Sequence, residues 1–142
     1  AKLSANTDRI VEVATTVSDA GASAVTVMNT MLGMQIDVRT SRRSLGNGGG
    51  GLSGPAVHPI AVRAVHDVRV ALPGIAIVGV GGIASGDDAI EMMMAGANAV
   101  QVGTASFARP NATWRIACSA ATRAHALGAS SWSTIVNAVH EV

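Results

Sequence analysis

The sequence predicts an α/β protein of parallel strands and helical crossovers, half of a (β/α)8 TIM barrel with about four strands. Three observations carry this expectation. Short β-branched runs alternate with stretches of helical periodicity. Strand ends near 28, 80 and 102 leave one ordinary βα unit between the last two. The 142 residues fall well short of the roughly 250 that a closed eight-stranded barrel takes. A small open α/β sheet is the other architecture compatible with this order, and either one exposes strand edges that invite pairing.

Taken in order, Ala1-Lys2-Leu3 is the tail of a strand. From Thr7 to about Asp19, Ile10, Val11, Val13, Ala14 and Val17 recur at helical spacing, and Gly21 supplies a stop. Ala24 to Met28 is almost wholly apolar, as in a strand covered on both faces. Pro55 to about Leu72 is a helix closed by Pro73-Gly74, and Ile75 to Val80 is the clearest buried strand. Gly86 to Ala95 is a helix with Gly96 as its stop, and Ala97 to Val102 a further strand. Helices are expected from Trp114 to about Ala126 and from Ser131 to Val142, separated by Gly128. Residues 31–54 break the rhythm, being longer than connections in compact domains usually are. Met34-Gln35-Ile36-Asp37-Val38 alternates, so a protruding strand or hairpin is expected, followed by a glycine-dense run to Gly54-Pro55. A lid or docking element and a flexible linker are both compatible with that segment.

Composition excludes several classes. Ten basic and nine acidic side chains leave a formal charge of +1, too little surplus for a nucleic-acid binder. Two Trp, one Phe and no Tyr make no stacking platform. No apolar run approaches the roughly 18–20 residues of a membrane span. One cysteine excludes an intrachain disulfide framework, and four scattered histidines suggest no metal cluster. The start, Ala1-Lys2-Leu3-Ser4, has no secretory pattern, so a cytoplasmic location is the expectation.

Candidate chemistry gathers at strand ends. Gly81-Gly82 follows one strand and Gly103-Thr104 the next. In parallel α/β barrels these ends form the active face, and the last two loops commonly bind phosphate. Glycine lets an anion approach the backbone, and N–H groups at a helix start point at it. Two such turns in consecutive βα units favour a shared phosphate grip over a pair of tight turns. Lys2, on the same rim, either places a positive charge beside a bound cofactor or is simply solvated. Asn29-Thr30 either hydrogen-bonds a planar polar ligand or caps a turn. Other candidates are discounted: Cys118 as a small buried thiol, His58 and His66 as helix or core residues, Met92-Met93-Met94 as packing, and Arg39, Arg42 and Arg43 as a solvated loop face.

Lys2-Leu3-Ser4, Asn29-Thr30-Met31-Leu32-Gly33-Met34, Gly50-Gly51-Leu52-Ser53-Gly54-Pro55, Gly81-Gly82-Ile83 and Gly103-Thr104-Ala105 stand in the order found in dihydroorotate dehydrogenase. Nearly the whole chain resembles the C-terminal half of the NAD-dependent, B-type catalytic subunit. The resemblance implies an FMN enzyme of pyrimidine synthesis that oxidises dihydroorotate to orotate. It further implies that Lys2 contacts the flavin ring, that Met28 approaches FMN through its backbone, and that Asn29 and Thr30 bind orotate. Gly54 would contact FMN, while Gly81, Gly82, Gly103 and Thr104 hold its phosphate. The base, a cysteine in this family, is expected in an N-terminal half, so no catalytic residue is assigned here and Cys118 does not inherit the role. That half-barrel and an electron-transfer subunit with FAD and an iron–sulfur cluster are the implied partners. Two other readings share the motifs in part: a non-catalytic phosphate- or flavin-binding half-barrel, and another phosphate-binding TIM-barrel enzyme.

Overall fold

The computed structural model describes residues 1–140. Three crossover helices define its frame. Strand β1 (Ala24–Val27) follows helix α1 (Ile10–Asp19), β6 (Ala76–Val80) follows α2 (His58–Ala71), and β7 (Ala99–Gln101) follows α3 (Gly86–Met94). The three strands form one parallel sheet in the order β1-β6-β7, with Val25 opposite Ile77 and Gly79 opposite Val100. Residues 1–3 extend it on the β1 side. Lys2 forms a parallel bridge to Thr26, the Leu3 N–H donates to the Thr26 carbonyl at 2.9 Å, and the Thr26 N–H donates to the Ala1 carbonyl at 2.7 Å. Four parallel segments therefore lie side by side in chain order, which is the arrangement of a partial TIM barrel.

The core lies between this sheet and its helices. Val25, Val27 and Ile77 point into it from the strands, and Ala14, Ala61, Val65 and Val68 meet them from α1 and α2. Gly79 creates room in the sheet for Met92: a Cβ there would strike the Met92 side chain, which is fully buried. The opposite sheet face differs from expectation. Ala24, Thr26, Val78 and Val80 are only half-buried and Ala76 and Ala99 are exposed, so these strands are covered on one face only. Among the described residues β7 does not pair back to residues 1–3, so the sheet is open, and its second, mainly apolar face is the less covered one.

The segment after β1 is a stack of two antiparallel ladders. β2 (Met31–Gly33) pairs with β5 (Gly50–Leu52), and between them β3 (Ile36–Asp37) pairs with β4 (Arg42–Arg43). Its arginines are solvated as expected, and so are several apolar side chains, Val38 at 88% exposure among them. A 3-10 turn at Pro55–Val57 then leads into α2, so the expected helix begins three residues later.

Three expectations at the C-terminal end are corrected. A short helix α4 (Thr104–Ala108), which the sequence reading lacks, precedes α5 (Ala112–Ala126). Residues 131–140 form 3-10 turns at Trp132–Thr134 and Ala138–His140 rather than a helix; Asn137, at φ 68°, takes a left-handed conformation that ends helical continuation. The last two residues of that expected helix, 141 and 142, lie outside the described ones. Cys118 is exposed, not buried. The buried stripe of α5 is Ala112, Ile116, Ala120 and Ala124, a strict spacing of four, and Cys118 falls on the opposite face. Among the described residues no helix is long and apolar enough to cross a membrane.

Candidate functional site

Parallel strands end on the same side of their sheet, so the turns after β1, β6 and β7 and the tail of the Lys2 segment share one rim. A cavity of about 570 Å³ opens there, within the range typical of small-molecule sites. Every residue singled out at this rim lines it: Lys2, Met28, Asn29, Thr30, Gly54, Gly81, Gly82, Gly103 and Thr104. The lining also includes Ser53, Gln101, Arg109 and Arg115, which the sequence reading did not single out. Arg109 sits between α4 and α5, and Arg115 in the first turns of α5; with α4 unforeseen, nothing local signalled that either faces the rim.

The electrostatics of this lining are one-sided. Lys2, Arg109 and Arg115 contribute cationic groups, and no Asp or Glu is among the lining residues. Among the described residues neither Arg109 nor Arg115 is paired with a carboxylate. The backbone adds donors of the same sign. The N–H groups of Gly82, Gly103 and Thr104 donate to no acceptor among the described residues. A concave surface with positive side chains and unpaired N–H groups suits a multiply charged oxyanion.

Gly82 has two reasons to be glycine. Its φ of +67° is left-handed, and a Cβ would stand 2.7 Å from the Gly54 carbonyl oxygen and 2.8 Å from the His58 backbone nitrogen. The turn is thus pressed against the segment that brings Gly54 to the rim. Asn29 and Thr30 are exposed at the mouth. Their neighbourhood is clamped by Asn6, whose amide donates to the Thr30 carbonyl at 2.8 Å and accepts from the Leu32 N–H at 2.7 Å. Met28, which also lines the cavity, is buried.

Beneath the rim lies a group of titratable residues. His58, Asp88 and Glu91 bring one ligand-capable atom each within 4.8 Å of one another. No local pattern signals it, since His58 is thirty residues or more from both acids. Asp88 is already engaged: one carboxylate oxygen accepts from the Ala84 N–H at 2.9 Å and the Ser85 N–H at 2.8 Å, and Ser85 Oγ accepts from the Asp88 N–H, closing a capping box on α3. Partial burial pushes the Asp88 carboxyl up, but hydrogen bonds from Ala84 and Ser85, with His58 nearby, outweigh it and hold the group below its usual value.

Fold and cavity together define a class: a parallel α/β-barrel segment with a cation-lined cavity at the C-terminal ends of its strands. The family profile for dihydroorotate dehydrogenase matches residues 1–120, and the chain belongs to that family. It is 53% identical over 116 residues to the dihydroorotate dehydrogenase B (NAD(+)) catalytic subunit of Geobacter metallireducens, covering 82% of this chain and 38% of that protein. The same subunit from Exiguobacterium sibiricum is 52% identical over 109 residues, covering 77% of this chain and 35% of the relative. That of Listeria monocytogenes is 45% identical over 130 residues, covering 92% and 42%. The chain thus spans between about a third and two fifths of the length of the curated relatives it matches.

Proposed function

We propose that this chain supplies the phosphate-holding side of an FMN site in a dihydroorotate dehydrogenase that oxidises dihydroorotate to orotate in pyrimidine synthesis. The observation that carries the reading is the one-sided lining: among the described residues, three cations, three unpaired N–H groups and no carboxylate stand around one cavity. The cavity's size and donor set fit a flavin mononucleotide. When bound, FMN supplies the acceptor for the hydride leaving dihydroorotate.

In this proposal Gly81, Gly82, Gly103 and Thr104 hold the phosphate through backbone N–H groups, and Arg109 and Arg115 complement its charge. Gly54 and the backbone of Met28 shape the wall along the cofactor. Lys2 keeps a positive charge beside the ring, where reduction builds negative charge. The Asn29 amide and the Thr30 hydroxyl orient the substrate at the mouth. The base lies outside these residues, on the N-terminal barrel half proposed to cover the open sheet face. The domain is then a C-terminal half-barrel with the 31–54 excursion, acting in the cytoplasm with an FAD and iron–sulfur electron-transfer subunit.

Titration of the chain with FMN and riboflavin, followed by flavin fluorescence, tests the phosphate grip. FMN is expected to bind more tightly than riboflavin. Replacing Arg109 and Arg115 together by Gln is expected to narrow that gap several-fold, less so at high salt. Equal affinities for the two flavins in the unaltered chain would refute the grip. Assayed with dihydroorotate and FMN, the chain alone is expected to turn over at least about 100-fold more slowly than a complete enzyme, because it lacks the base. FMN binding without any turnover, even with an N-terminal half supplied, would favour a non-catalytic flavin-binding module.

A further inference from the structure

Residue 58 opens α2 directly below the Gly81-Gly82 turn, and its ring is almost closed to solvent, the residue being 8% exposed. His58 Nδ1 stands 2.8 Å from the Gly81 carbonyl oxygen. A carbonyl only accepts, so Nδ1 carries the hydrogen and donates. On its other side the ring meets α3: Nε2 is 3.2 Å from Glu91 Oε2 and 3.9 Å from Asp88 Oδ1. The ring is a wedge between the turn and these two carboxylates.

The peptide joining Gly81 to Gly82 is trans, so its C=O and N–H point in opposite directions. Holding the Gly81 carbonyl onto His58 therefore turns the Gly82 N–H away from the ring. His58 is not part of the cavity wall, whereas both glycines are. The Gly82 N–H has no acceptor among the described residues. A glycine pair with positive φ at both members, 148° and 67°, has few intrinsic restraints on that plane.

We infer that His58 is a positioning residue: its Nδ1–H locks the 81–82 peptide so that the Gly82 N–H is presented to the phosphate group of the ligand. This rests on the FMN reading and names the group that orients its phosphate contact. Asp88 and Glu91 act through the ring by fixing its tilt.

The affinity of the chain for FMN and for riboflavin, measured with H58L and H58Q, reads the effect. Leu keeps the bulk without a donor; Gln restores an N–H for the Gly81 carbonyl. H58L is expected to weaken FMN binding about tenfold, the cost of one unsatisfied buried acceptor, and to leave riboflavin binding unchanged. H58Q is expected to recover most of that loss. Equal losses for both flavins, or none for either, would overturn the inference, since a merely structural role does not single out the phosphate. Should H58L not fold, nitrogen NMR of the unaltered chain decides: the hydrogen is expected on Nδ1, and the Gly82 amide resonance is expected to move when inorganic phosphate is added. A hydrogen on Nε2 alone, or an unmoved Gly82 resonance, would overturn it. Treatment with EDTA is expected to leave FMN affinity unchanged; a loss would overturn it too, by making His58, Asp88 and Glu91 ligands of an ion. If the unaltered chain binds neither flavin, the FMN reading fails, and the nitrogen measurement still judges His58 by itself.

Discussion

The two ends of β6 and β7 are built on opposite plans. At their N-terminal ends, the buried Arg69 guanidinium donates to the carbonyls of Gly96 at 2.8 Å, Pro73 at 2.7 Å and Ile75 at 2.8 Å. It also donates to Asn98 Oδ1 at 2.7 Å, and that oxygen accepts in turn from the Ile77 N–H at 2.8 Å. One cation thereby closes the approach to both strands. Burial pushes the guanidinium below its usual value, a cost that the ring of carbonyls offsets. At the C-terminal ends of the same strands, Gly82, Gly103 and Thr104 leave N–H groups without acceptors among the described residues, around a concave surface. The closed end holds the strands in place, and the open end keeps its polarity available for a ligand. Rigid support at one end is what lets the other remain incomplete.

That contrast can be broken at either end. The largest effect is expected at the closed one. Arg69→Met takes this donor from the Pro73, Ile75 and Gly96 carbonyls and leaves the Asn98 amide oxygen with the Ile77 N–H alone, and should cost about 3–5 kcal/mol in a urea titration. A loss below about 1 kcal/mol would show that Arg69 is not the brace. At the open end, Gly82→Ala forces a Cβ against backbone atoms and a left-handed φ onto alanine. A stability loss of about 1–3 kcal/mol is expected, together with a loss of FMN affinity that Arg69→Met does not share once folded. Equal flavin affinities in Gly82→Ala and the unaltered chain would separate that turn from the binding site.

The smallest effects concern the α3 cap that supports the open end. Ser85→Ala removes the oxygen that accepts from the Asp88 N–H and should cost about 1 kcal/mol. Its partner carries a pH signature. The folded Asp88 carboxyl lies below its ordinary value of 3.8, so the unfolded chain takes up the proton first as pH falls. Its contribution to stability is therefore complete above roughly pH 4–5 and is lost as pH drops through the folded value. Comparing urea midpoints of the unaltered chain and Asp88→Asn across pH 2–7 should show the lead of the former vanish at the acid end. A lead that persists there would mean that the carboxylate is not what Ala84 and Ser85 bind.

Much of the candidate site was legible because its signals are local. Gly81-Gly82 and Gly103-Thr104 each follow a β-branched run, and in a parallel sheet two such ends must face the same way. Lys2 joined them for the same reason. The His58 wedge and the Arg69 brace were not legible, since each is a meeting of segments about twenty to thirty residues apart whose side chains give no periodic signal. Cys118 was misplaced because apolar neighbours in sequence do not say which helix face is inward; the four-residue stripe of alanines and Ile116 decides that. The terminal helix failed at Asn137, where contact decides the backbone: its N–H donates to the Met93 carbonyl at 3.2 Å, and His140 Nε2 lies 3.0 Å from the Ala95 carbonyl oxygen.

By itself the sequence determined the order of strands and helices, their parallel sense and the rim on which the glycine turns stand, because short-range periodicity and crossover handedness leave few alternatives. Only the tertiary structure decided which sheet face is covered, which cations line the cavity and which ring stands under its glycine turn. Those depend on packing between segments distant in the chain, where geometry rather than local preference selects the partner.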